Sequence, residues 1–372
     1  MRFLLSPDSY KDSLSATDVC DIMATAIRKA MPQAVIDSLP LADGGEGTLE
    51  AVIRTTGAKR ITLTVADPLN RPTSADYAII DGTTAFIEMA QASGLEKLQI
   101  HERNPLLTTT FGTGQLIRDA LDKGIRTIIV SIGGSATVDG GSGMMQALGL
   151  KLFDEHNSLL PPCGEALLNL AHIDSSQLDS RLASCTVTVA CDVTNPLCGP
   201  SGAAAVFGPQ KGATPAIVTQ LEQGLSHWAL LLHEDGTTPG DGAAGGMGFA
   251  LRVFARAVMQ SGAAIVASLA HFQEHLDKAD IVFTGEGRSD SQTLHGKLPS
   301  FVASQARRAN KPCILVSGAV SGPQEDLKKA FTAVFSTVPD VRPLTDILAT
   351  SRQSLADCMD AVIALITLGN NA

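Results

Sequence analysis

Aromatic side chains are scarce in this sequence: they make up 4% of its 372 residues, with two tyrosines and one tryptophan. Proteins that read single-stranded nucleic acid stack bases on such rings, so the shortage argues against that class. Positive charge is short as well. Twenty-eight Lys and Arg face 38 Asp and Glu, a formal net charge of −10, which repels a phosphate backbone and disfavours DNA or RNA as a partner. A small anion is still open to it, because a few local cations override net charge. Cysteines number seven, and no two form a C-x-x-C pair. An odd set without metal spacing reads as the reduced thiols of a cytoplasmic protein. No run of 18 or more apolar residues is uninterrupted, so no membrane span is expected. Pro7 and Asp8 break the N-terminal MRFLLSPDSYKDS too early for a secretory core. The G-x-x-x-x-G-K-[ST] phosphate loop is missing, as are the H-R-D and D-F-G pieces of a protein kinase.

Glycine, by contrast, is plentiful at 34 residues, and 44% of the chain is hydrophobic, enough for a substantial core. Arg2–Ser6 reads as a strand. Ser13 or Ser15 caps a helix to about Met31 with Val19, Ile22, Met23, Ala26 and Ile27 on its apolar face, and Ala34–Leu39 is a second strand. This βαβ opening predicts a doubly wound parallel sheet. In the middle, Ile61–Val65, Tyr77–Ile80 and Phe86–Met89 read as strands without helices between them. Helix Gly112–Asp122, strand Thr127–Ser131, helix Met144–Leu150, strand Thr186–Ala190 and helices Pro215–Leu232 and Phe249–Met259 follow. From Asp280 the strand–helix alternation resumes, with helices at Ser300–Ala309 and Glu325–Ala330, a strand at Ala333–Ser336 and a last helix from about Ser354 to Thr367. The likeness of the two ends predicts an α/β fold of two domains. One is Rossmann-like and built from residues 1–60 plus 275–372; the other, mixed α/β, is inserted at 61–274.

Several short patterns compete for a function. Gly240–Gly245 matches G-x-G-x-x-G, but LLHEDGTTP before it reads as a helix end and a turn, not the strand a dinucleotide site needs. His271–His275 matches H-x-x-E-H, yet Leu269, Phe272, Leu276 and Ala279 supply an ordinary buried stripe that leaves both histidines on a flank. Three stretches at strand ends carry more chemistry. IGGSATVDGGSGM (132–144) offers backbone N–H groups for a phosphate. TGEGRSDSQTLHGK (284–297) adds Arg288, Asp290 and Lys297. ACDVTNPLCG (190–199) places Asp192 and Asn195 where a base or an oxygen ligand for a metal belongs.

These blocks, with SPDSYKDSLSA (6–16), PLADGGEGT (40–48), FIEMAQASGL (86–95), RNPLLTTTFGTGQLI (103–117), ACDVTNPLCGPSGAAAVFGPQKGA (190–213) and GAAGGMG (242–248), resemble type 1 glycerate kinases in order along almost the whole chain. Asp12 stands where the first block of that family has glycine, and the stretch around 256–280 is shorter. The resemblance implies two α/β domains with a cleft between them. It also implies Mg2+-dependent transfer from ATP to D-glycerate, giving 2-phosphoglycerate rather than 3-phosphoglycerate, in glyoxylate and sugar-acid salvage.

Such a transfer rests on positioning and electrostatics. Arg71 or Arg288 is expected to grip the glycerate carboxylate with two parallel hydrogen bonds, with Asp8 and Asn195 also on the substrate. Lys11 and Lys297 are candidate phosphate cations, and Asp192 is the expected base. Asp43 and Asp290 are candidates for Mg2+, which takes few carboxylates and keeps several waters; Asp290, Lys11 and Asp192 form the expected catalytic set. Gly133, Gly134, Ser135, Gly285, Glu286 and Gly287 would let backbone approach phosphate. A dehydrogenase of small hydroxy acids and a non-catalytic nucleotide sensor are the alternatives, and oligomeric state is left open.

Overall fold

RFLL, IVFT and CILVS are short continuous apolar runs, the pattern of strands covered on both faces. In the computed structural model, which describes residues 1–370 apart from His295 and Pro339, they form the middle of a parallel sheet. The chain divides into two units. The first comprises 1–43, 50–57 and 263–372, and the second 44–49 and 58–262.

The first unit carries a five-stranded sheet in the order Ala333–Ser336, Cys313–Ser317, Ile281–Thr284, Arg2–Leu5, Val35–Ser38, with every neighbouring pair parallel. Numbered by appearance this is 2-1-3-4-5, one of the two common doubly wound orders. Helix Ala16–Ala30 begins where Ser15 Oγ accepts the N–H of Asp18 at 3.0 Å, a standard N-cap. Its buried Val19, Met23 and Ile27 meet Leu355, Met359 and Ile363 of the C-terminal helix Ser351–Asn370, above Phe3, Leu5, Phe283 and Val316 of the sheet. The alternate side chains Leu4, Val282 and Leu315 are buried too. Helix Leu298–Arg308, with Val302 and Ala306 inward, lies against strands Ile281–Thr284 and Cys313–Ser317. The two chain ends thus share one core, as their common texture predicts.

The second unit holds a six-stranded sheet: Val258–Gln260, Thr186–Ala190, Thr127–Ser131, Thr84–Glu88, Pro72–Ile80, Lys59–Ala66. The first four run parallel, and Pro72–Ile80 lies antiparallel to both of its neighbours, Thr84–Glu88 and Lys59–Ala66. Its core gathers around Trp228, Tyr77, Leu116, Met144 and Phe249, all fully buried.

One element differs in kind from its expectation. The helix expected over Phe249–Met259 ends at Ala255, because Arg256 takes a left-handed conformation (φ 52) and Val258–Gln260 pairs in parallel with Thr186–Ala190. An open sheet edge captures this segment, overriding local helical spacing. Helix Met144–Leu150 instead spans Ser142–Ala147, starting after left-handed Gly141 (φ 71).

Trp228 ties this core to the glycine-rich segment: its indole N–H donates to the Gly140 carbonyl at 3.1 Å. A Cβ on Gly140 would come within 2.7 Å of the same ring. Trp228→Phe leaves that buried carbonyl unpaired, which costs about 1–3 kcal/mol. The urea midpoint followed by far-UV circular dichroism should fall accordingly; an unchanged midpoint would refute the coupling.

Candidate active site

Ligands of open parallel sheets collect at the carboxyl ends of strands, where the strand order reverses. In the first unit that point lies between Arg2–Leu5 and Ile281–Thr284. The loops leaving them are SPDSYK and GEGRSD, and they stay paired beyond the strands: Ser6 N–H donates to Phe283 O and Asp8 N–H to Gly285 O, both at 2.8 Å. This brings acids together. Burial holds the Asp8 carboxyl well above the usual carboxylate range, and the negative charges of Asp43 and Glu286 add to it; the N–H of Ser9, 2.7 Å away, opposes them. Glu286, 7% exposed, accepts from Ser289 Oγ at 2.9 Å, Thr293 Oγ1 at 2.6 Å and Lys297 Nζ at 3.1 Å. Lys297, expected as a phosphate cation, therefore has a protein carboxylate as its partner.

Gly285 and Gly287 serve the protein's own packing, since a Cβ on Gly285 would fall 1.8 Å from Val316 O and one on Gly287 3.0 Å from Lys11 N. Arg288 is exposed and donates from Nε to Ser321 Oγ at 3.2 Å. Asp290 lies 3.9 Å from that guanidinium and is committed to a turn, its Oδ1 accepting from Gln292 N–H at 2.8 Å. Lys11 is exposed. Asp12 adopts φ 63, a left-handed conformation that glycine enters freely and Asp tolerates.

In the second unit, three neighbouring parallel strands end in Glu88, in the 132–144 segment and at Cys191-Asp192. Gly133 and Gly134 lie against the 44–49 loop. Gly133 N–H donates to Gly44 O at 3.2 Å, and Cβ atoms on the pair would meet Gly45 Cα at 2.6 Å and the Glu46 carboxylate at 2.7 Å. Gly44 in turn sits over Ala190, with Asp192 two residues on. Ser135, 8% exposed, accepts from Lys211. The second half of the segment differs from expectation. The N–H groups of Gly141 and Gly143 point to the buried Asp139 carboxylate, which also accepts from Thr110 N–H and Oγ1. A protein carboxylate thus already occupies the helix start proposed for phosphate. Burial nevertheless pushes the Asp139 pKa upward.

Arg71 is likewise committed: Nε donates to Asp67 Oδ2 and Nη1 to Glu102 Oε1, each at 2.6 Å. The guanidinium expected to grip substrate is instead shared between two carboxylates of the protein. Asp192 is exposed, and its Oδ2 accepts from Gly262 N–H at 3.1 Å. Asn195 braces a turn, its Nδ2 donating to Ser201 O and its carbonyl accepting from Gly240 and Gly242 N–H. The Gly240–Gly245 pattern follows helix Pro215–Leu231 rather than a strand, and a Cβ on Gly245 would lie 1.9 Å from Thr137 O. That glycine serves internal packing, and the dinucleotide reading has no support. The H-x-x-E-H histidines are split, because His271 is left-handed (φ 50) ahead of helix Phe272–Lys278. His275 does not face solvent freely but lies 3.5 Å from Asp37.

Two features escaped the sequence reading. Glu88, 2% exposed, accepts from Gly47 N–H at 3.2 Å and Leu49 N–H at 2.7 Å, fixing the glycine loop from within the sheet end. It also lines a cavity of about 290 Å³ with Glu46, Gly47, Gln91, Glu96 and Lys97. Lys211 is fully buried in the GPQKGA turn. The available signal was a lone charge within each of two apolar blocks, FIEMAQ and VFGPQKGA.

Acids and cations at the switch point of a doubly wound sheet, in one chain with a glycine-lined parallel strand end, define an α/β enzyme for small anionic ligands. The profile of the family described as "Glycerate kinase family" matches residues 3–367. The "Glycerate 2-kinase" of Escherichia coli K12 is 44% identical, with 99% of each chain covered. The "Glycerate kinase" of Bacillus subtilis 168 is 45% identical over 93% of this chain and 92% of its own. A crystal structure of a protein provisionally named glycerate kinase 2, from Salmonella typhimurium LT2, matches with TM-score 0.88 at 45% identity and full coverage of both chains. The chain belongs to the glycerate kinase family.

Asp8 supplies a test. Its proton is held more tightly folded than unfolded, so stability falls as pH rises from the ordinary carboxyl range through its raised value. Asp8→Asn removes the buried charge. Its Tm should exceed that of the wild type at about pH 8, the gap closing toward about pH 4, with activity lost throughout. A gap that widens on acidification would overturn the assignment.

Proposed function

We propose that the protein transfers the γ-phosphoryl group of ATP to D-glycerate and forms 2-phosphoglycerate. The observation that carries this is the meeting of Asp8, Asp43 and Glu286 at the switch point of the first sheet; the names borne by its relatives support it. Phosphoryl transfer asks for neutralised charge and an aligned hydroxyl rather than covalent chemistry.

The carboxylates fit a magnesium ion. Among the described residues no three acidic, His or Cys side chains gather to hold a metal by themselves, but Mg2+ bound with nucleotide takes one or two carboxylates. Asp8 and Asp43 crowd each other's charge, and they are the residues that would hold it. Asp290, the other carboxylate expected there, is given to its turn. When bound, Mg2+ neutralises the β- and γ-phosphate oxygens.

Of the two arginines, Arg288 is the better carboxylate partner: it is exposed and held through Nε by the Ser321 hydroxyl, whereas Arg71 is held by two acids. Lys297 leaves Glu286 for a phosphate oxygen, or shares itself between them. The segment around Gly134 and Ser135 binds phosphate, the Gly133 N–H being already given to Gly44 O, and Asp192 orients and deprotonates the attacking hydroxyl. The seven free cysteines suit a reducing cytoplasm, and no helix among the described residues is long and apolar enough to cross a membrane. The product suits glyoxylate and sugar-acid salvage.

ADP release that requires D-glycerate, with phosphorus NMR of the product, tests the reading. 2-Phosphoglycerate is the expected product; the 3-isomer would overturn the position, and glycerate-independent release the whole assignment. Asp192→Asn should lower kcat by about 10²–10⁴-fold with the fold intact. Retention of more than about half the turnover would remove it as base.

A further inference from the structure

Lys211 is a buried cation of the second unit. It is 2% exposed, and its Nζ donates to Ser135 Oγ at 2.6 Å and to Thr137 O at 2.7 Å. Neither partner is a carboxylate. A buried ammonium without a paired acid is expensive, and nothing in the packing of the GPQKGA turn calls for one: left-handed Gly212 (φ 95) ends the turn by itself.

The bond to Ser135 has a chemical consequence. An ammonium has three protons and no lone pair, so Ser135 Oγ must accept from it. The hydroxyl proton of Ser135 is then directed to some other acceptor, and none is seen for it among the described residues. Unused capacity extends along the segment, for the buried Ser131 Oγ and Thr137 Oγ1 have no partner among the described residues. Three hydroxyls of seven consecutive residues thus await an acceptor or donor. All lie at the carboxyl end of strand Thr127–Ser131, next to Gly133 and Gly134.

We propose that Lys211 is a positioning residue: by making Ser135 Oγ an acceptor, it turns the Ser135 hydroxyl proton toward a phosphate oxygen of the nucleotide. This rests on the kinase reading for the identity of the phosphate. The arrangement depends on the charge of Lys211. A neutral amine has a lone pair, can accept the Ser135 proton, and takes that donor away from the ligand. Burial brings the Lys211 pKa down to about 7, with Asp139 as the charged group that raises it. Arg103, whose backbone packs on Gly212, is the other ionic residue at this turn.

The test is the pH profile of kcat/KM for ATP, which reports ionisations of the free enzyme. For the wild type it should fall about tenfold between pH 7 and 9 as Lys211 deprotonates. Lys211→Met should show the lowered value at every pH with this limb gone, while KM for D-glycerate stays within about twofold of wild type. Ser135→Ala should behave the same way and carries the test if the Met variant does not fold. A folded variant of either kind that keeps the wild-type limb and the wild-type KM for ATP overturns the proposal. ATP binding followed by Trp228 fluorescence separates the two readings, since it needs no turnover. Binding that weakens above about pH 7 in the wild type but not in Ser135→Ala sustains the role of Lys211 even without glycerate turnover; no difference between them overturns it.

Discussion

The parallel pairing of Arg2–Leu5 with Ile281–Thr284 is the constraint on which the first unit depends. It places two strands that lie some 280 positions apart in sequence side by side at the centre of one sheet. The two loops stay paired past the strand ends, and because the order reverses there, their polar ends are left uncovered by a crossover. Asp8 and Glu286 meet for that reason and no other. The pair is electrostatically unfavourable by itself, and the hydroxyls of Ser289 and Thr293 with the ammonium of Lys297 offset part of that cost on the Glu286 side. Asp8 is supported by Ser9, whose N–H donates to its Oδ1. A site held at some expense of stability is what a ligand-neutralised centre looks like before its ligand arrives.

The second unit solves a different problem. Its glycines are dense because backbone meets backbone: Gly133 against Gly45, Gly245 against Thr137, Gly246 against Gly140. The 44–49 loop is held between this layer and the Glu88 carboxylate. Close packing, not openness, is the first function of these residues, and only the part of the segment around Ser135 keeps hydrogen-bonding capacity to offer.

Much of this was legible in the sequence. Thr127–Ser131, Thr186–Ala190, Ala333–Ser336 and Glu325–Ala330 were readable to the residue, because β-branched or charged runs bounded by turn residues leave little choice. RVFARAVMQ was not: its spacing suits a helix throughout, and only an unfilled sheet edge distant in sequence converts its end to a strand. The candidate charges were visible as residues at strand ends, but not their partners. Glu102 binds Arg71 from 31 positions away, a contact that no local pattern displays. Lys211 and Glu88 acquire their meaning from burial alone, and burial is a property of the assembled sheet.

The same central strand pair has a consequence for synthesis. Strand Arg2–Leu5 leaves the ribosome long before its partner strand, which begins only at Ile281. At about 5–20 residues per second, roughly 15–55 s pass before that partner has even been translated. Meanwhile the stretch 58–262, contiguous in the chain, can close on itself. Throughout that interval the apolar N-terminal strand has only Val35–Ser38 of its two sheet neighbours to pair with.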